Sequence, residues 1–274
     1  MGLLEDKVAI ITGSGRGIGK AAALMFAEHG ASVVVNDLDP EPAEETVKEI
    51  TDLGHRAVIC AGNIVDEGLP DRLMGAAMDN FGKIDILVNN AGYTWDGVIQ
   101  KMTDEQWYAL IDVHATAPFR LIRAISPYMR DIAKKEIAEG KRVHRKIINI
   151  CSLAGIGGNA GQVNYSAAKA ALIGVTKAIA KEWGGFNINV NAVCFGHIYT
   201  RLTVERDEAK TIRIENRELP VGVSKANVQM LKMLVPLRRG GTPQEAAGPI
   251  LFLASPLSDY ITGEVIICSG GLVI

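Results

Sequence analysis

Little in this sequence advertises a metal, a disulfide framework or a membrane. Four cysteines and five histidines are spread over 274 residues, and no two cysteines stand in a CxxC or other metal-ligand spacing. Cys60, Cys151, Cys194 and Cys268 each lie in an apolar, strand-like run. That predicts reduced, buried thiols rather than cross-links, and no metal is expected. The formal charge of −2 leaves no overall basic field to recruit nucleic acid or a membrane surface. No run is apolar for long enough to cross a bilayer. The opening residues, MGLLEDKVAI, lack the basic start and long apolar run of a signal peptide. Asp6 stands where a myristoylation signal needs Ser or Thr. A soluble, cytoplasmic protein is the expectation.

What is present is alternation. Short apolar runs and amphipathic stretches follow one another without a linker, repeat or low-complexity tract. This predicts one α/β domain over residues 1–274, a doubly wound sheet of about seven mostly parallel strands with helices on both faces. The sequence centres on residues 149–171, NICSLAGIGGNAGQVNYSAAKAA. Residues 147–150 read as a buried strand ending near Ser152, at the end of the sheet where such folds keep their ligands. A Gly-rich loop then leads to a helix on which Tyr165 and Lys169 stand four apart and share a face. A free tyrosine ionises near ~10, and a neighbouring ammonium favours the phenolate. Ser152 can donate a hydrogen bond to the same carbonyl oxygen. The set suits moving a proton at a carbonyl, although YxxxK alone is common and equally fits an ordinary amphipathic helix.

The first strand, residues 7–12 (KVAIIT), runs into Gly13, Ser14, Gly15, Arg16, Gly17, Ile18 and Gly19 and then a helix. Such glycines let backbone N–H groups approach a pyrophosphate at the positive helix end. Past a second strand, residues 31–36, Asp37 can accept from ribose hydroxyls and would repel a 2′-phosphate. Arg16 could instead pair with that phosphate, but an arginine on a loop can swing away from it. The expected cofactor is therefore NAD in preference to NADP. Residues 84–88 form a further strand, followed by Asn89, Asn90, Ala91 and Gly92.

Together these motifs resemble the short-chain dehydrogenase/reductases over nearly the whole chain. The glycine loop has that family's Gly-x3-Gly-x-Gly spacing, and NNAG is its signature. The resemblance implies catalytic roles for Ser152, Tyr165 and Lys169, with Tyr165 and Lys169 also meeting the cofactor. It assigns Asn63 and Ile64 to the adenine end, Asn63 standing where the family usually has Asp. Asn90, Ala91 and Gly92 would line the cofactor, with Ile198 and Thr200 at the nicotinamide and His197 a possible substrate contact. Phe195 replaces the family's usual proline. A substrate lid is expected over about residues 197–239, where Val228, Met230, Leu231, Met233 and Leu234 suit core packing in preference to an acyl chain. The long helical stretch 104–135, interrupted by Pro118 and Pro127, would serve self-association as a homodimer or homotetramer. His114 stands where the family has a relay Asn. Pro118 has no N–H, so the backbone carbonyl of His114, four residues back, is expected to be free to hold a relay water while the imidazole braces the helix.

Residues 130–146 hold seven Lys/Arg against three Asp/Glu. This reads as a solvated face, with Arg142, Arg145 or Lys146 an alternative steering patch for phosphates. The implied reaction is hydride transfer between NAD(H) and a secondary alcohol or ketone. The run 155–165, with VVVNDL at 33–38 and Val113-His114, is similar to the 3-oxoacyl-acyl-carrier-protein reductase and 3-hydroxyacyl-CoA dehydrogenase branches. An acyl thioester is the expected substrate; another small alcohol, sugar or steroid, and a catalytically silent nucleotide sensor, are the alternatives.

Overall fold

The computed structural model describes residues 2–201, 203, 211–214, 217–220, 222, 229–230 and 233–272. Seven strands form the main sheet: β1 (Val8–Ile11), β2 (Ser32–Val35), β3 (Ala57–Ile59), β4 (Ile86–Asn89), β5 (Arg145–Ser152), β6 (Ile188–Phe195) and, last in sequence, β9 (Val265–Cys268). Their spatial order is β3-β2-β1-β4-β5-β6-β9, and every pairing is parallel. The order reverses between β1 and β4, so the crevice at their carboxyl ends is where this class of sheet binds ligands. β7 (Thr211–Ile214) and β8 (Arg217–Pro220) form a separate antiparallel hairpin.

The strands read as unbroken apolar runs because both faces are covered. All of β1, β2 and β4 is buried. Period-two alternation divides their side chains between two layers. Ala9, Ile11, Val33 and Val35 pack with Phe26 of α1 (Gly17–Glu28) and with Leu253 of the C-terminal helix Pro243–Ala254. Val8, Ile10, Val34 and Leu87 pack with Leu73 of α3 (Leu69–Phe81) and with Leu121 and Ile125 of α5 (Ala117–Ala138). Between these helices in sequence lie α2 (Pro40–Asp52) and α4 (Asp104–Ile111). After β5 come the single turn α6 (Ala154–Gly157) and α7 (Val163–Trp183), which makes Pro243–Ala254 helix α8. All four cysteines are free, and only Cys268 is not fully buried, because β9 is the edge strand.

Two of the sequence expectations about prolines divide here. At Pro118 the regular ladder does change. Between α4 and α5, residues Asp112–Thr116 wind as a π-helix, with the Ala117 N–H reaching back five residues to the Asp112 carbonyl. Pro118 then stands in the first turn of α5, where its missing N–H is tolerated. Pro127 does not interrupt anything: α5 runs through it.

The basic segment 130–146 is also corrected. β5 starts at Arg145 and ends at Ser152, so at ~3.3 Å per residue the two ends lie about 23 Å apart. Arg145 is buried and donates to Glu136 through both terminal nitrogens, at 2.7 and 2.9 Å. Lys146 is buried on Asp259 at 2.7 Å and Ser258 at 3.1 Å. Arg145 and Lys146 are thus structural ions at the opposite end of the sheet from Ser152, and neither can steer a substrate. The expected packing of the lid is corrected too: Met230, Met233 and Leu234 are exposed. Both layers of core are already closed by the helices named above, so no described core cluster includes them. Val228 and Leu231 lie outside the described residues.

Glu136→Ala should strip the partner from a buried guanidinium and lower unfolding free energy by about 3 kcal/mol in denaturant titration. KM for any substrate should be unchanged, since the pair is remote from the crevice; a selective rise in KM would restore the steering patch.

Candidate active site

The three candidate catalytic residues converge at one end of β5. Ser152 is its last residue, and its Oγ accepts from the Ala154 N–H at 3.2 Å, which fixes the hydroxyl at the turn into α6. Gly155 lets that turn lie against α7, because a Cβ there would stand 2.8 Å from the Lys169 backbone. On α7, Tyr165 and Lys169 are one turn apart, and the Lys169 ammonium lies 5.7 Å from the centre of the Tyr165 ring. Lys169 is buried and donates to the Ile150 carbonyl at 2.7 Å. The Ser152 side chain sits close enough to the Tyr165 phenol to favour its ionised form.

Burial dominates the electrostatics. The Tyr165 phenol is pushed up to about 12 by desolvation, against the Ser152 hydrogen bond, which favours the phenolate. Desolvation brings the Lys169 amine down to about 8. The expectation that the lysine lowers the tyrosine pKa is therefore not met. The ammonium points at a main-chain carbonyl rather than at the phenol oxygen, so its charge does not offset the loss of water. His114 is buried and its pKa lies well below 6.5, first through desolvation and then through the Lys169 charge. Its Nε2 bonds to the Tyr93 carbonyl at 2.7 Å, so Nε2 carries the proton and Nδ1 is a bare acceptor with no partner among the described residues. The imidazole meets the Tyr165 ring edge-on at 5.0 Å.

A cavity of about 380 Å³ runs from these residues to the end of β2. Gly13, Arg16, Gly17 and Ile18 line it, as do Asp37, Asn63 and Ile64. Asn90, Ala91, Gly92, Ile198 and Thr200 complete the set expected from the sequence. Ser14, Gly15 and Gly19 are the exceptions: they shape the loop and take no part in the wall. Ser14 is fully buried, its hydroxyl donating to the Ile11 carbonyl at 2.7 Å. Gly15 N–H donates to Asp37 Oδ2 at 3.0 Å, and a Cβ on Gly15 would lie 2.8 Å from that oxygen. Gly19 has no room for a Cβ, which would fall 2.2 Å from the Gly13 carbonyl oxygen. His197 is absent from the wall and packs edge-on against Tyr199 at 5.3 Å.

The same loop is braced from β4. Thr12 Oγ1 accepts the N–H groups of Asn90 and Ala91, both at 3.0 Å, and Asn90 Nδ2 donates to the carbonyls of Thr12 and Gly13 at 2.9 and 3.0 Å. Asp37 receives a second N–H, from Asp39, at 3.3 Å. Arg16 is held by Asp39 at 2.7 Å and lies 3.6 Å from Asp37. A Cβ-free cradle at the N-terminus of α1, a fixed carboxylate at the end of β2, and an open cavity between them fit a dinucleotide: phosphates on the loop, ribose on Asp37.

Sequence reasoning passed over the strap of residues 93–97, which forms the other wall. Tyr93, Thr94 and Asp96 line the cavity. Asn164, fully buried, donates to the Trp95 and Gln106 carbonyls, each at 3.0 Å, and accepts the Tyr165 N–H at 2.8 Å. Gln162 Nε2 donates to both Asp96 oxygens at 2.9 and 3.0 Å, and the Gly97 N–H bonds to the Gly161 carbonyl at 2.8 Å. The hairpin closes over this strap: Ile214 and Leu219 pack on Tyr93, Trp95 and Leu38. Arg217 lies over the Trp95 ring at 5.3 Å and donates to Glu105 at 2.8 Å. Among the described residues no His/Cys/Asp/Glu group could hold a metal, and no helix is long and apolar enough to cross a membrane.

Known proteins share this fold. The family model for short chain dehydrogenases matches residues 7–211. The 3-oxoacyl-[acyl-carrier-protein] reductase FabG of Thermotoga maritima is 40% identical over 271 residues, 99% of each chain. The (2S)-[(R)-hydroxy(phenyl)methyl]succinyl-CoA dehydrogenase subunit BbsD of Thauera aromatica is 37% identical over 268 residues, 98% of this chain and 97% of that one. A solved 7α-hydroxysteroid dehydrogenase, in complex with NADH and 7-oxo glycochenodeoxycholic acid, superposes with a TM-score of 0.85 at 31% identity, covering 98% of this chain and 95% of its own. With the seven-stranded parallel sheet and dinucleotide cradle already in view, these matches place the chain in the short-chain dehydrogenase/reductase family, as an NAD(P)-dependent oxidoreductase.

Proposed function

We propose that the protein interconverts a secondary alcohol and a ketone at C3 of a 3-hydroxyacyl/3-oxoacyl thioester, with NAD(H) as cofactor. The observation that carries the reaction is the convergence of Ser152, Tyr165 and Lys169 on one cavity that continues to the glycine cradle. The thioester is supported by two relatives whose names specify acyl-carrier-protein and CoA substrates. NAD(H) is supported by Asp37, whose two oxygens are fixed by backbone N–H groups facing the cavity, and by Arg16, which Asp39 already occupies. The nicotinamide, when bound, supplies or accepts the hydride. Tyr165 holds the proton that the substrate oxygen gains or gives up, and Ser152 donates a hydrogen bond to that oxygen. Lys169 provides the positive charge that stabilises the phenolate and holds the ribose. The strap and the hairpin form the lid that excludes water. Self-association through α5 and α7 as a homodimer or homotetramer, in the cytoplasm, belongs to the same reading; exposed Tyr108 and Phe119 support an interface on α4 and α5.

His114 enters through its backbone. Pro118 offers no N–H to the carbonyl of His114, which we assign as the seat of a relay water leading to Lys169. The bond from Nε2 to Tyr93 supports the imidazole as a brace.

A fluorescence screen for NADH formation and consumption, over alcohols, ketones and short 3-oxoacyl thioesters, tests the reaction. Turnover should be greatest on thioesters, and binding of NAD without turnover on any member would support the silent sensor instead. For the cofactor, kcat/KM should favour NADH over NADPH, and Asp37→Ser should narrow the gap by lifting the repulsion of a 2′-phosphate; a wild type that prefers NADPH contradicts this assignment. For the relay, Tyr165→Phe should abolish turnover, His114→Asn should keep most of it, and Pro118→Ala should lower it by recapturing the carbonyl. Loss in His114→Asn as complete as in Tyr165→Phe would make the imidazole itself the proton carrier.

A further inference from the structure

Asp96 is the one acidic side chain on the strap wall. It stands at the cavity rim, keeps exposed surface, and faces the same space as Tyr165 and Ser152. Its charge reaches the Tyr165 phenol and helps keep that group protonated. Burial raises the Asp96 carboxyl above the ordinary range, opposed by one donor, Gln162 Nε2, which orients both oxygens and favours the ionised form. A carboxylate has about four lone-pair sites, so acceptor capacity remains on the cavity side. No cation offsets the charge among the described residues: Arg217, the basic group packed on the neighbouring Trp95, is committed to Glu105. The strap cannot easily turn the carboxylate away, because bonds from Asn164 to the Trp95 carbonyl, from Gln106 to the Asp96 carbonyl and from the Gly97 N–H to Gly161 fix the backbone around it.

From this placement we infer that Asp96 is a specificity-determining residue, a charge filter that rejects carboxylate-bearing substrates and accepts a hydrogen bond from a neutral N–H or O–H near the reacting ketone. The inference deepens the thioester reading and rests on it for its natural substrate. In a thioester the group beside the ketone is uncharged and the arm beyond the sulfur carries amide donors. The corresponding free 3-oxo acid would bring a second carboxylate against Asp96, and two like charges in contact repel.

The test compares two substrates with the same reacting ketone, acetoacetyl-N-acetylcysteamine and acetoacetate, by NADH consumption. The quantity read is the ratio of kcat/KM for the anion to that for the neutral thioester, which cancels any loss common to both. Asp96→Asn should raise that ratio by about tenfold, and Asp96→Glu, which keeps the charge, should hold it within about threefold of wild type. An unchanged ratio in Asp96→Asn, or an equal change in Asp96→Glu, would overturn the inference and leave Asp96 a structural partner of Gln162. Wild type that reduces neither compound overturns the thioester reading alone. The ratio is then taken on a neutral and a carboxylate-bearing member of whichever alcohol class is turned over, and a protein that turns over neither class overturns both.

Discussion

The structure turns on the desolvation of two ionisable groups set one turn apart on a single helix. Tyr165 and Lys169 are both withdrawn from water, and withdrawal acts on them in opposite directions: it holds the phenol protonated and loosens the ammonium proton. Neither shift follows from the four-residue spacing. Each follows from what covers α7, namely the carboxyl ends of β5 and β6, the strap of residues 93–97, and the imidazole of His114. The proton thus sits on tyrosine, and the lysine charge is turned to the Ile150 carbonyl. A ligand that brings positive charge and acceptor oxygens into the cavity is what would redirect that ammonium.

The rest of the fold serves to hold this arrangement. The sheet order puts β1, β4 and β5 side by side, so the glycine loop, the NNAG loop and Ser152 all leave the sheet at the same edge. Asn90 ties the first two together through the Thr12 and Gly13 carbonyls. A buried chain of side-chain hydrogen bonds lies below, with Asn89 donating to Asn149 at 2.8 Å and Asn149 donating to Thr176 of α7 at 2.8 Å. Polar groups inside a core must be paired, and pairing here fixes α7 against β5 in rotation, which sets where Tyr165 points.

Much of this was legible in the sequence, because the signals were local. Unbroken apolar runs gave the parallel strands. The glycine loop was read from its place between a strand and a helix, and Gly13 and Gly17 do adopt positive φ there. What was missed depends on tertiary neighbours. Asp96 and Gln162 become a wall, with Asn164 bracing it from α7, only when segments more than 60 residues apart meet. The basic stretch ending at Lys146 was misread because charge counts along a chain do not say at which end of a strand the charges fall, or that Glu136 and Asp259 wait there. The direction of the Tyr165 shift was misread for a related reason: the spacing shows a lysine nearby, but only the fold shows where its ammonium points.

Direct titration of Tyr165 tests this account most closely. Ultraviolet difference spectra of wild type minus Tyr165→Phe would follow phenolate formation with pH, without cofactor and with saturating NAD+. In the free protein the midpoint should lie near 12, with the folded state losing stability as pH rises from ~10, the ordinary tyrosine value, toward it. With NAD+ bound the midpoint should fall. A free protein whose Tyr165 already ionises near neutral pH, or a midpoint that does not move with NAD+, would contradict the claim that burial sets the resting proton and the bound cofactor releases it.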